Sequence, residues 1–214
     1  MFAPNGDYVT TIRYHKGDLP DLSNYQVEAV AIDTETMGLE PHRDRLCVVQ
    51  LSPGDGTADI VQIAKGQTSA PNIERLLADP QITKLFHFGR FDIASLYKAF
   101  GTLAEPVWCT KIASRLIRTY TDRHGLKNLC EELIDVQLSK QQQSSDWGAD
   151  HLSDAQLEYA ASDVLYLHRL REKLQERLVR EDRAEMADAC FAFLPMRAKL
   201  DLAGWPESDI FAHS

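Results

Sequence analysis

A chain of 214 residues, 44% hydrophobic and 26% charged, has the size of one globular domain, or of one domain with an appended helical piece, and no run approaches the ~18 to 20 apolar residues of a membrane span. A net charge of −9 excludes a protein that wraps long nucleic acid through a broad basic face, but not one that acts on a short nucleic acid while metal ions restore the local balance. Four scattered cysteines without a C-x-x-C pair exclude a disulfide framework and a zinc site, and the absence of a secretory leader in Met1–Thr10 adds to a cytoplasmic expectation.

Residues 27–34 are rich in Val, Ile and Ala and predict a strand, and 45–52 (RLCVVQLS) predict a second. The turn signal PGDG at 53–56 leads into a third strand over 57–63, which makes an antiparallel meander. A short helix over 72–78 stops before Pro80, a strand follows at 84–88, and a helix over 91–100 ends at Gly101. A short strand at 106–109 precedes a helix at about 110–120. The second half is helical. An amphipathic helix covers 126–134, and a second starts at Ser153, with Gln156 completing a capping box, and runs through Tyr166 to about Arg180. A last helix over about 184–203 is broken or kinked at Pro195. This order predicts an α/β fold: a mixed sheet flanked by helices, with a helical C-terminal part.

Three segments carry candidate chemistry. In AIDTETMGL (31–39), Asp33 and Glu35 project from the same face of a strand. Two carboxylates held side by side repel unless a cation sits between them, and hard oxygen ligands favour magnesium or manganese. In LFHFGRFD (85–92), Asp92 falls where a strand gives way to a helix, a place where α/β proteins gather reactive groups. In LEYAASD (157–163), Tyr159 and Asp163 are one helical turn apart among small residues that permit close packing. A polar linker, LSKQQQSSDW (138–147), brings Lys140, glutamines and serines that could meet phosphate, sugar or base.

Four acids and a tyrosine in this order resemble the DEDD superfamily of 3′–5′ exonucleases, in its tyrosine-bearing, ribonuclease D-like branch, over roughly residues 27–180. The opening HKGDLPDLSNY, the run RDRLCVVQLSPGDGTAD and the end LAGWPESDIFAH resemble more narrowly the nano-RNase C group of short, oligomeric enzymes that degrade very short RNA, dinucleotides above all. The resemblance implies an RNase H-like fold, with a catalytic core at about 27–180, a helical extension at 181–214 and no accessory helical nucleic-acid-binding domain. It also implies two-metal phosphodiester hydrolysis to 5′-mononucleotides. Asp33, Glu35, Asp92 and Asp163 would hold two Mg²⁺ or Mn²⁺ ions, and Tyr159 would orient the nucleophilic water. Thr34, Met37, Gly38, Leu39, His87, Ser145 and Trp147 are the expected substrate contacts, with Leu39 as a wedge between terminal bases. The expected partners are short single-stranded RNA or a dinucleotide, possibly DNA, and further copies of the chain in an octamer. The alternatives are a general ribonuclease D-like exonuclease acting on longer RNA or DNA, and a silent RNase H-like binding module.

Overall fold

The strand carrying the D-x-E pair is buried on both faces at its start and opens only at its end. This strand, β2 (Ala29–Thr36), begins with four buried apolar residues, and of the rest Asp33, Glu35 and Thr36 are partly exposed while Thr34 stays buried. A strand covered on both faces reads as a continuous apolar run, so β2 belongs at the centre of a sheet. In the computed structural model, which describes residues 10–139 and 141–213, it does: the described residues form a six-stranded sheet in the order β1-β4-β3-β2-β5-β6. Strands β2, β3 (Leu46–Ser52) and β4 (Thr57–Gln62) make the predicted antiparallel meander. On the other side β5 (Thr83–Phe86) and β6 (Val107–Cys109) run parallel to β2.

Strand β1 (Thr11–Lys16, TIRYHK) was not predicted. It pairs in parallel with β4 at the sheet edge, and none of its residues is fully buried. Its charges hide it from a hydrophobicity reading. They are satisfied by the buried Asp59, which accepts from Arg13 through both carboxylate oxygens at 2.7 Å, meets His15 at 2.7 Å and accepts from Tyr25 at 2.6 Å.

The helices are α1 (Pro71–Ala78), α2 (Arg90–Phe100), α3 (Thr110–Ile117), α4 (Leu126–Ile134), α5 (Asp154–Leu165), α6 (Leu167–Arg180) and α7 (Ala184–Leu202). Two expectations are corrected. The helix predicted from Ser153 to Arg180 is divided at Tyr166, whose φ of −106° and ψ of −4° end α5 and begin α6. The division lets α5 pack on β3, β4 and β2 while α6 packs on α3, α4 and β5. Pro195 does not break α7, which continues through it with the proline buried. Helix α7 packs on α2, β6 and α3, so the C-terminal segment is joined to the sheet layer. No helix of the described residues is long and apolar enough to cross a membrane. The stretch Met1–Val9, which covers most of the leader reading, and Lys140 lie outside the described residues.

Candidate active site

The acids converge because three elements end at one place. Strand β2 delivers Asp33 and Glu35 side by side, and its pairing with β3 shifts register between Glu35 and Thr36. Bulges of this kind re-aim side chains beside functional sites. Helix α5 delivers Tyr159 and Asp163 one turn apart. Its start is fixed by a capping box: Ser153 Oγ accepts from Gln156 N at 3.3 Å, and Gln156 Oε1 accepts from Ser153 N at 3.0 Å. Helix α2 delivers Asp92 from its first turn. The chain reverses tightly from β5 into α2 at Gly89, where a Cβ would stand 2.5 Å from the Cβ of Phe86.

Carboxylate oxygens of Asp33, Glu35 and Asp163 lie within 4.8 Å of one another. Asp92 stands outside that trio, buried on the α2 side, where the Thr34 hydroxyl donates to its Oδ1 at 2.7 Å. The protein surroundings push all four acids above the carboxylate range. Burial is the largest cause for each, and neighbouring carboxylates add to it for Asp33, Glu35 and Asp163. Glu35 rises to about 9. Asp163 rises to about 7, and Asp92, against the pull of the Thr34 hydroxyl, also to about 7. Tyr159 is pushed upward by burial and by the same carboxylates, so its phenol keeps its proton.

The residues predicted from sequence line one cleft of about 640 Å³. Met37, Gly38 and Leu39 form its lip. A Cβ at Gly38 would stand 2.3 Å from the Asp44 carboxylate, so any side chain there requires Asp44 to shift. Leu39 is 83% exposed. Ser145 lies on the opposite loop, its hydroxyl donating to Gln142 Oε1 at 2.5 Å. Trp147 is placed differently from an open stacking surface. It is 3% exposed, with its ring 6.0 Å from that of Tyr159 at 39°, so it backs the tyrosine. Thr34 also borders the cleft, but its hydroxyl is committed to Asp92. His87 is held neutral by burial and by the charge of Lys111, which lower its pKa to about 3. The Thr110 hydroxyl donates to the Phe86 carbonyl at 3.2 Å, so at 2.8 Å its oxygen receives the Nδ1 proton of His87. That tautomer leaves His87 Nε2 as an acceptor.

Among the cleft residues that sequence reading missed are Lys111, Lys127 and Phe88. A signal for the lysines was available. Each is the second residue of a helix, α3 or α4, where a cation opposes the helix dipole and suits an anionic ligand. Phe88 has φ 64°, uncommon for a bulky residue, and is 47% exposed with Lys111 Nζ 4.2 Å from its ring centroid.

Residues 19–179 match the profile of a family described as 3′–5′ exonuclease. A solved structure of Brucella melitensis NrnC bound to pGG is 69% identical and superposes with a TM-score of 0.94 over 96% of this chain and 100% of that one. A Brucella melitensis NrnC structure with bound Mg²⁺ is likewise 69% identical, with a TM-score of 0.93 over 95% of this chain and 100% of that one. Ribonuclease D of Granulibacter bethesdensis is 38% identical over 72% of this chain. The chain spans 38 to 42% of the length of such curated ribonuclease D relatives.

Proposed function

This chain belongs to the 3′–5′ exonuclease family, and we propose that it hydrolyses short single-stranded RNA from the 3′ end, dinucleotides above all, releasing 5′-mononucleotides. The observation that carries this reading is the trio of Asp33, Glu35 and Asp163 at the floor of a cleft whose lip is the exposed Leu39. A cleft of about 640 Å³ suits a small ligand rather than a duplex. The catalytic unit is taken as about 27–180, with the segment from about 181 onward as a helical extension whose α7 packs on α2, β6 and α3.

The donor set fits divalent cations. It consists of hard carboxylate oxygens within 4.8 Å of one another, close enough to share one cation, and burial and mutual repulsion raise their pKa values, a penalty that a bound cation would remove. Asp33, Glu35 and Asp163 would hold magnesium or manganese, and Asp92 would complete a set for two ions. When bound, the ions supply Lewis-acid activation of water and charge stabilisation at the phosphoryl group. The remaining roles fall to side chains. The protonated Tyr159, braced by Trp147, orients water in front of the scissile phosphate. His87 Nε2 accepts from a sugar hydroxyl, a partner that its neutral tautomer suits and that a phosphate is not. Leu39 covers a base.

We also propose a homo-oligomer, an octamer by likeness to the nano-RNase C group. The exposed Val179, Met186, Met196, Trp205 and Ile210 on α6, α7 and the C-terminal segment support it. Phe211, 78% exposed, joins them, with its ring edge-on to that of Phe193 at 6.0 Å. Mass in solution tests the assembly.

A product time course on end-labelled RNAs of two to twenty nucleotides with Mg²⁺ tests the function. Dinucleotides should be cleaved fastest, and Asp163→Asn should reduce the rate on the order of a hundredfold or more while leaving the fold intact, the scale for losing a preorganised electrostatic group. Equal rates on two-mers and twenty-mers would favour a general exonuclease. No cleavage of any length would return the chain to a binding module.

A further inference from the structure

Strand β3 is buried at every residue, and Gln50 sets a fully buried amide near its centre. Neither Oε1 nor Nε2 of that amide has a hydrogen-bond partner among the described residues, so turning the amide over changes nothing. A buried amide without a partner is costly, and such a group calls for a physical account.

Strand register supplies one. Gln50 lies directly opposite Asp33 in the antiparallel β2–β3 pair, and opposite Ile60 in the β3–β4 pair. Opposed residues project from the same face of the sheet with their Cβ atoms about 4.5 to 5.5 Å apart. The amide therefore stands beside Asp33, on the face where α5 packs and from which Asp163 approaches the same acid. Two further polar side chains of that face, Gln62 and Ser52, are already committed. Gln62 donates to the Ala149 carbonyl at 2.7 Å and accepts from Tyr14, and Ser52 donates to the Thr57 carbonyl at 2.7 Å. The carboxylates are left, with Asp33 the nearest in register. On the opposite face of β2 the corresponding arrangement is complete, because the Thr34 hydroxyl holds Asp92 at 2.7 Å. No side chain of the described residues donates to Asp33.

We propose that Gln50 is a positioning residue for Asp33: when a divalent cation is bound by the acids, the Gln50 Nε2 amide donates to the Asp33 oxygen that the cation leaves free and holds the carboxylate in its ligating orientation. A neutral amide suits this position, since it orients a ligand without adding a charge that competes with the cation. The proposal rests on the reading of the four acids as a cation site.

Gln50→Met keeps the length of the side chain and deletes the amide. Titration of Mn²⁺ by calorimetry, without substrate, and thermal scans in EDTA would compare the variant with the wild type. Mn²⁺ should bind about tenfold more weakly to the variant, the lower end of the scale for losing a partner of a metal ligand. Its Tm in EDTA should equal or exceed that of the wild type, because the unpartnered amide is gone. A purely structural glutamine would give the reverse, a lower Tm with unchanged Mn²⁺ affinity, and unchanged affinity overturns the proposal whatever the Tm. A crystal structure of the wild type with Mg²⁺ tests the contact without any substitution. Gln50 Nε2 should then lie within about 3.2 Å of an Asp33 carboxylate oxygen, and a separation beyond hydrogen-bond reach overturns the proposal. If the wild type itself binds no Mn²⁺, the reading of the acids as a cation site fails instead, so the two failures are distinguishable.

Discussion

The hydroxyl of Thr34 and the carboxylate of Asp92 join β2 to α2 through a 2.7 Å hydrogen bond, on the side of the strand away from Asp33 and Glu35. Removing it with Thr34→Val, which keeps the shape, should push the Asp92 pKa above its present value of about 7. Less of that carboxylate is then ionised at neutral pH. We expect kcat/KM to fall about tenfold at pH 7, from the loss of one hydrogen bond to a charged group. The deficit should shrink toward pH 9, and Thr34→Ser should restore activity. A deficit of constant size across pH would show that Thr34 acts through packing alone.

The four acids also set how metal binding depends on pH. Their folded-state pKa values lie above those of the unfolded chain, about 4 for Asp and Glu. The folded state therefore holds more protons between that value and pH 7 to 9, the range in which Asp92, Asp163 and Glu35 titrate. Their contribution to stability is complete below the ordinary carboxylate range and is lost as pH rises through 7 to 9. Cations need the deprotonated forms, so the rise in Tm on adding Mn²⁺ should be small at pH 5.5 and grow toward pH 8.5. Thermal scans with EDTA and with Mn²⁺ at both pH values measure it. A gain independent of pH would place the cation elsewhere.

What the sequence disclosed follows from where each signal resides. The sheet centre and the acids were legible because β2 combines an apolar run with a period-two pair of carboxylates, and because a four-residue spacing is a helical turn wherever it occurs. Strand β1 was hidden because its stabilisation is long-range: Arg13 and His15 become strand residues only when Asp59, more than forty positions away, is buried beneath them. The division at Tyr166 was hidden because apolar spacing continues across it; the backbone turn there answers to two different packing surfaces. Lys111 and Lys127 were overlooked because a lysine is ordinarily read as solvated surface, and only its place in a helix's first turn argues otherwise.

Leu39 is a large apolar side chain left 83% exposed beside the acids. An exposed side chain contributes little to folding, so Leu39→Ala should leave stability within about 0.5 kcal/mol of the wild type. If the side chain covers a base, KM for dinucleotides should rise about tenfold, the scale for losing one stacking contact. Kinetics on a dinucleotide, paired with a thermal scan, decide it. An unchanged KM would leave Leu39 without a role in substrate binding.

Trp147 separates two roles that its motif alone could not. An aromatic that stacks on substrate governs KM, whereas one that braces Tyr159 governs the chemical step. Its burial and its 6.0 Å approach to the Tyr159 ring favour bracing. Trp147→Phe keeps an aromatic ring but leaves space behind the tyrosine. We expect kcat to fall several-fold with KM nearly unchanged, and Tm to drop by about 2 to 4 °C for each kcal/mol lost in a domain of this size. The double variant Trp147→Phe, Tyr159→Phe provides the control. If the tryptophan acts through the tyrosine hydroxyl, adding Trp147→Phe to Tyr159→Phe should cost almost no further activity, because the group it positions is already gone. Full additivity of the two losses, or a rise in KM from Trp147→Phe alone, would return the tryptophan to direct contact with substrate.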